Sequence, residues 1–157
     1  MKNSIRSIES KLNDVQYILL AVMTSILIEI PLQGLIHLYE KYGGDLGSNY
    51  MEHSITFVFI SGCIIGPIIE SFFIIFLIWI LKTKLHIKKK SHLLLITSAI
   101  FALLHYYSII YIISVFPGCF IIVYSYLCYA PKKLSSFTVM LLVHIIGNSI
   151  EIMLSLL

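Results

Sequence analysis

The chain has 157 residues, of which 59% are hydrophobic and only 12% are charged. A soluble domain is closer to half apolar and about a quarter charged, so this composition excludes an ordinary soluble protein and indicates an integral membrane protein. The formal net charge of +3 does not indicate a nucleic-acid partner, because the lysines cluster at the ends of apolar segments, where membrane topology accounts for them. The expected partner is the lipid bilayer.

A chain of this length has room for one membrane domain, which we place at residues 1–157, and for no separate soluble domain. Residues 1–14 are polar and of mixed charge, which is typical of a short interfacial helix or a frayed end. The first span is predicted at Val15–Leu35. It carries Glu29 deep inside it, and Pro31 is expected to kink the helix at that depth.

The second apolar segment, Ile55–Leu81, follows a polar loop and carries one formal charge, that of Glu70. It is longer than one crossing needs, and Gly62, Gly66 and Pro67 interrupt it. The segment is therefore predicted to be either one tilted, kinked helix or a short helix that breaks near Gly66. In the second case it restarts at Pro67, because proline is favourable in the first turn of a helix.

The uncharged stretch His92–Tyr129 is long enough for two crossings joined by a tight turn. We place that turn at Tyr106–Ser108, with Pro117 inside the fourth segment; a turn at Pro117-Gly118 is the alternative. The last span is predicted at Leu134–Leu157. The sequence thus predicts an all-α fold, a polytopic membrane helix bundle of about five transmembrane helices.

The basic residues predict the orientation of this bundle. Ten of the eleven Lys and Arg residues fall in three segments: residues 2–11, Lys82–Lys90 and Lys132-Lys133. Five crossings put all three segments on one side of the membrane, which the positive-inside rule assigns to the cytoplasm. We expect a multi-pass protein of the plasma (inner) membrane with a cytoplasmic N-terminus and an extracytoplasmic C-terminus.

Four polar side chains lie deep in the apolar segments: Glu70, His105, His144 and Asn148. A carboxylate at the bilayer centre costs roughly 2.5–3.5 kcal/mol on insertion scales, so it normally faces a protein interior or a wet cavity and has a partner. At about 1.5 Å per residue, straight helices place these four side chains roughly 17–22 Å from the nearest basic segment. Polar groups at one depth on separate helices form a candidate site, and Glu29 falls near the same layer.

Three interpretations of these residues are open. In the first, Glu70 and His105 hold a water molecule as general base and then general acid, while His144 and Asn148, at i and i+4, donate hydrogen bonds to an oxyanion. In the second, Glu70, His105 and His144 bind zinc, because two histidines and a glutamate are an acceptable catalytic ligand set, although the compact HExxH spacing is absent. In the third, the groups form interhelical hydrogen bonds only.

These polar residues fall within known family motifs. The pattern FxxxH is present as Phe101–His105, the pattern HxxxN as His144–Asn148, and residues 67–70 read Pro-x-x-Glu. With these motifs the sequence resembles the CAAX protease and bacteriocin-processing family, also called the abortive-infection or type II CAAX prenyl endopeptidase family. Its members carry EExxxR, FxxxH and HxxxN on separate membrane helices. The resemblance covers residues 66–150.

The first motif is partial: Glu70 is its first glutamate, Ser71 stands at the second glutamate and Ile75 stands at the arginine. The resemblance implies a glutamate-type intramembrane endopeptidase that cleaves a peptide bond of a membrane-associated protein or peptide without a cofactor. It implies four catalytic residues: Glu70, His105, His144 and Asn148. Zinc bound by the two histidines and Glu70 is the alternative.

Small members of this family also include bacteriocin self-immunity proteins. The alternative function is therefore a non-proteolytic immunity or scaffold protein of the same fold. Four further residues are weaker candidates for supporting the site: Ser71, Phe101, Glu29 and Glu151. Glu151 lies on the helix face of His144 and Asn148 and is a candidate replacement for the missing second glutamate.

Overall fold

A computed structural model describes residue 9, residues 11–44 and residues 54–155, and every regular element in these ranges is a helix. The five helices are α1 Asp14–Lys41, α2 Ile55–Thr83, α3 Lys90–Leu103, α4 Ile109–Leu127 and α5 Ser136–Ser155. The predicted all-α bundle is confirmed. The predictions for residues 1–8, 10, 45–53 and 156–157 fall outside the described residues.

Four of the five helices, α1, α2, α4 and α5, are long and apolar enough to cross a membrane. Helix α3 has 14 residues, which at about 1.5 Å per residue is shorter than the roughly 30 Å hydrocarbon core. Large apolar side chains are exposed along the outer faces, among them Leu27, Phe72 and Ile113. Such faces suit contact with lipid, so the chain is a membrane protein with four helices of spanning length.

Helix α1 begins at a capping box, in which the Asn13 side chain accepts from the Gln16 N–H and the Gln16 side chain accepts from the Asn13 N–H. The helix continues through Pro31 and ends at Lys41, beyond the predicted end at Leu35. A proline in the middle of a membrane span is usually tolerated, because neighbouring helices pack against it.

Helix α2 is continuous, but it winds as a π-helix over Ile60–Ile65. Pro67 has no N–H, and its ring would collide with the carbonyl four residues earlier in an α-helical register. The wider π turn relieves that contact, and the Gly66 N–H bonds the Ser61 carbonyl five residues back. Of the two predicted forms, the continuous helix is the one observed, and its irregularity lies immediately before Gly66.

The connection between α3 and α4 is short. Helix α3 ends at Leu103, and α4 begins after Ser108, whose hydroxyl accepts from the Tyr111 N–H. The predicted turn at Tyr106–Ser108 is confirmed. Pro117 lies inside α4, so the alternative turn at Pro117-Gly118 is wrong. The fourth helix thus starts close to His105, which follows the end of α3.

One end of the bundle is held together by Asp14 at the start of α1. Its carboxylate accepts four hydrogen bonds of 2.7–2.9 Å from the α4–α5 linker: from the Tyr129 hydroxyl and the N–H groups of Lys132, Lys133 and Leu134. At the same end, the Lys90 Nζ donates to the Leu127 carbonyl at 3.0 Å. The start of α1, the α2–α3 linker and the α4–α5 linker therefore meet.

The helices close around a shared interior. Helix α4 packs against α1, α3 and α5, and α2 packs against α3 and α5. The least exposed apolar side chains come from α2, α3, α4 and α5, and include Ile74, Leu93, Val123 and Met140. The polar residues predicted to form a site lie nearer the end of the bundle that is opposite Asp14, where the helices leave a cavity between them.

Candidate functional site

The bundle contains a cavity of about 680 Å³. All four principal candidates line it, from α2, the α3–α4 turn and α5: Glu70, His105, His144 and Asn148. Among the supporting candidates, Phe101, Glu29 and Glu151 also line the cavity, whereas Ser71 does not. Glu29 and Glu151, which lie 122 positions apart in the sequence, thus line the same cavity.

Glu70 and His144 contact each other directly. The Nε2 atom of His144 is 3.2 Å from Oε2 of Glu70, and the two side chains are 3% and 35% exposed. A carboxylate only accepts, so Nε2 carries a hydrogen and donates it to Glu70. In the neutral ring the Nδ1 atom of His144 is then an acceptor, and it is buried without a partner among the described residues.

His105 has the opposite arrangement. Its Nδ1 atom is 3.1 Å from the carbonyl oxygen of Phe101, and a carbonyl only accepts, so Nδ1 carries the hydrogen. The Nε2 atom of the neutral ring is then free to accept a proton. His105 and Glu70 line the same cavity. One histidine of the cavity is therefore set as an acceptor at Nε2 and the other as a donor.

Phe101 orients both histidine rings. Its ring is buried and meets His105 edge-on at a centroid distance of 5.4 Å, and it meets His144 edge-on at 5.8 Å. Its carbonyl is also the hydrogen-bond acceptor of His105. The phenylalanine of the FxxxH pattern thus acts on the site through packing and through its backbone.

Asn148 compensates for the irregularity of α2. In the π register the Gly62 carbonyl would pair with residue 67, which is proline and has no N–H. The amide of Asn148 supplies the missing donor, with Nδ2 at 2.9 Å from the Gly62 oxygen. The second N–H of the amide remains for another acceptor. Sequence reasoning named Gly62 only as an interruption of the helix and missed its role as an acceptor, because its free carbonyl exists only in the π register.

Glu29 and Glu151 form a second acidic pair in the same cavity. Both side chains line it, and Ser25 donates to Oε1 of Glu29 at 2.7 Å. A Cβ on Gly118 would lie 2.6 Å from that oxygen, so a larger residue there would push the Glu29 carboxyl aside. Glu151 on α5 and Glu29 on α1 thus bring two carboxyl groups to one cavity.

The residues proposed as zinc ligands lack the geometry of a metal site. No three His, Cys, Asp or Glu side chains come together to hold a metal ion within the described ranges. Glu70 bonds Nε2 of His144, so a metal could not use that nitrogen in this arrangement. Glu70, His105 and His144 therefore do not fit a three-ligand centre in this arrangement.

No family model, curated protein or solved structure matches the chain. The family resemblance therefore rests on the residues of the motifs and stays a prediction. What the geometry adds is a carboxylate, two imidazoles with opposite tautomers and an amide, all on one cavity inside an apolar bundle.

Proposed function

We propose that the protein is an intramembrane endopeptidase of the glutamate type, related to the CAAX protease and bacteriocin-processing family. Its substrate is a membrane-associated protein or peptide, and its active site is the cavity. The single observation that carries this proposal is that Glu70, His105, His144 and Asn148 line one cavity. Ionisable side chains within membrane helices are usually functional, because the bilayer makes them costly.

In this mechanism a water molecule binds between Glu70 and Nε2 of His105. Glu70 takes a proton from the water, and the water oxygen attacks the scissile carbonyl carbon. The tetrahedral intermediate collapses when its carbon–nitrogen bond breaks, and the proton passes to the departing amine. The products are one new carboxyl group and one new amine, and Glu70 is a carboxylate again.

The oxyanion of the intermediate is stabilised by two N–H groups, the Nε2–H of His144 and the second N–H of Asn148. His144 donates to Glu70 in the resting site. Once Glu70 has taken a proton it is neutral and a weaker acceptor, so the oxyanion becomes the better partner for this N–H. The contact at 3.2 Å therefore links proton uptake by Glu70 to stabilisation of the intermediate.

We propose that the protein lies in the plasma (inner) membrane with its N-terminus in the cytoplasm. Support comes from the end of the bundle where the start of α1, the α2–α3 linker and the α4–α5 linker meet. These segments carry basic residues, including Lys11, Lys88, Lys89 and Lys133. Positive charge at one end of a membrane bundle favours the cytoplasmic side.

A second candidate function, a non-proteolytic immunity or scaffold protein, has its own observation. Ser71 stands where the family has a second glutamate, and its side chain is buried and does not line the cavity. The amide of Asn148 already bonds the Gly62 carbonyl, which is a structural role. A protein of this kind needs the fold and a binding surface, and no activated water.

Hydrolysis is tested with the purified protein in nanodiscs, incubated with membrane-anchored peptides in H₂¹⁸O and a strong chelator. We expect cleaved products whose new carboxyl group carries ¹⁸O, because the attacking oxygen comes from water. Cleavage that is lost to the chelator and restored by Zn²⁺ would contradict the Glu70–His105 mechanism. Protection of cells from a bacteriocin without any cleavage would support the second candidate.

A further inference from the structure

Helical serines and threonines in this protein usually bond a carbonyl of their own helix. Six of them do so at 2.6–2.8 Å: Thr24, Ser61, Thr83, Ser114, Ser125 and Ser149. This bond satisfies a hydroxyl in a membrane helix without any help from neighbours. Three other hydroxyls in the described residues, those of Ser71, Thr97 and Ser98, are fully buried and have no hydrogen-bond partner.

Among the described residues, the fourth buried atom without a partner is Nδ1 of His144. The three hydroxyls come from α2 and α3, each of which carries a residue in contact with this histidine. Ser71 follows Glu70, which bonds the other ring nitrogen of His144. Thr97 and Ser98 precede Phe101 by one helical turn on the same face of α3, and the Phe101 ring packs edge-on against His144.

Each of these four atoms needs a hydrogen-bond partner. A buried polar group without a hydrogen bond loses its solvation and gains nothing in return, so such groups are rare in native structures. A buried water commonly makes about three hydrogen bonds to groups that are otherwise unsatisfied. Three hydroxyls that can donate or accept and one imidazole nitrogen that accepts are a suitable set for water.

We infer that Ser71, Thr97, Ser98 and Nδ1 of His144 form an internal water-binding site, separate from the cavity. The three hydroxyl residues do not line the cavity, whereas His144 does, so this histidine lies between the two. A water that donates to Nδ1 keeps the ring hydrogen on Nε2, where it bonds Glu70. The hydroxyls are thus positioning residues for His144, and this role rests on the proposed function.

The first test reads the tautomer of His144 in the full chain, labelled with ¹⁵N in its histidines and held in nanodiscs. The His144 signals are identified by their loss in a His144→Gln variant. We expect a hydrogen-bonded, unprotonated Nδ1 and a protonated Nε2. In the Thr97→Val, Ser98→Ala double variant the Nδ1 signal should shift toward that of a nitrogen without a hydrogen bond.

The matched control is Ser114→Ala, which removes a buried hydroxyl that bonds the Tyr111 carbonyl of its own helix. It should leave the His144 signals unchanged. Equal signals in the wild type, the double variant and the control would overturn the inference.

The second test needs no variant. Magnetisation transferred from water should reach the Thr97 methyl group at short mixing times, but not the methyls of Val139, although both residues are fully buried. Transfer to Thr97 that is as slow as transfer to Val139 would overturn the water site. Neither measurement uses a substrate, so failure of the peptidase proposal and failure of this inference are distinguishable.

Discussion

At the scale of single residues, the two histidines of the cavity differ in what their Nδ1 atoms meet. His105 donates from Nδ1 to a carbonyl, whereas Nδ1 of His144 is buried without a partner among the described residues. The depth of both residues in apolar segments could be predicted from the sequence. Their tautomers could not, because each depends on a neighbouring atom: the Phe101 carbonyl in one case and Glu70 in the other.

Asn148 provides a prediction at this scale. Replacing Asn148 with Ala removes the donor to the Gly62 carbonyl and should destabilise the bundle by roughly 0.6–1.7 kcal/mol, the range for interhelical hydrogen bonds in membranes. Unfolding in detergent measures the loss. The Ser149→Ala variant lacks only a hydrogen bond within α5 and should lose less. Asn148→Ala protein as stable as the wild type would show that the Gly62 carbonyl needs no such donor.

At the scale of the helices, the π segment of α2 shapes the site. It frees the Gly62 carbonyl for Asn148, and Glu70 follows it by one turn. Glycines and a proline in an apolar run predicted an irregularity near Gly66. They did not predict its form, because breaking the helix and widening one turn relieve the same proline clash. In the observed form the free Gly62 carbonyl bonds Asn148 of α5.

A substitution at Gly66 tests the π segment of α2. A Cβ at Gly66 would lie 2.9 Å from the Ser61 carbonyl oxygen, so Gly66→Ala must displace backbone in the π turn. We expect a loss of about 1–3 kcal/mol in unfolding free energy, as for overpacked interiors. The control is Gly34→Ala in α1, where a Cβ meets nothing within 4 Å. It should be neutral or stabilise by up to about 1 kcal/mol. Equal stability of the two variants would contradict a steric need for glycine at residue 66.

At the scale of the whole molecule, composition was enough to predict a membrane helix bundle, because an apolar chain of this kind cannot fold in water. For residues far apart in the chain, the sequence predicted only that they lie at one depth in the membrane. Which faces turn inward depends on packing, and Glu151 of α5 and Glu29 of α1 show this by lining the same cavity. Helix α3 is also shorter than a crossing, since the turn at residues 104–108 takes up part of the predicted segment.

Orientation is the prediction at this scale. The basic segments meet at one end of the bundle, so that end should face the cytoplasm and the C-terminus should lie outside. A periplasmic reporter fused after Leu157 should therefore be active, and the same reporter inserted in the α2–α3 linker should be silent. A fusion after Leu157 that works only with a cytoplasmic reporter would contradict this topology.

The most direct test of the central claim compares two carboxylate-to-amide changes. Glu70→Gln keeps the shape of the side chain but removes the carboxylate that takes the proton from water in the proposed mechanism, whereas Glu40→Gln makes the same change at an exposed position near the end of α1. With both variants inserted at the normal level, Glu70→Gln should slow peptide cleavage by a factor on the order of 10² to 10⁴, and Glu40→Gln should cleave like the wild type. Full cleavage by Glu70→Gln would contradict the proposal that Glu70 activates water.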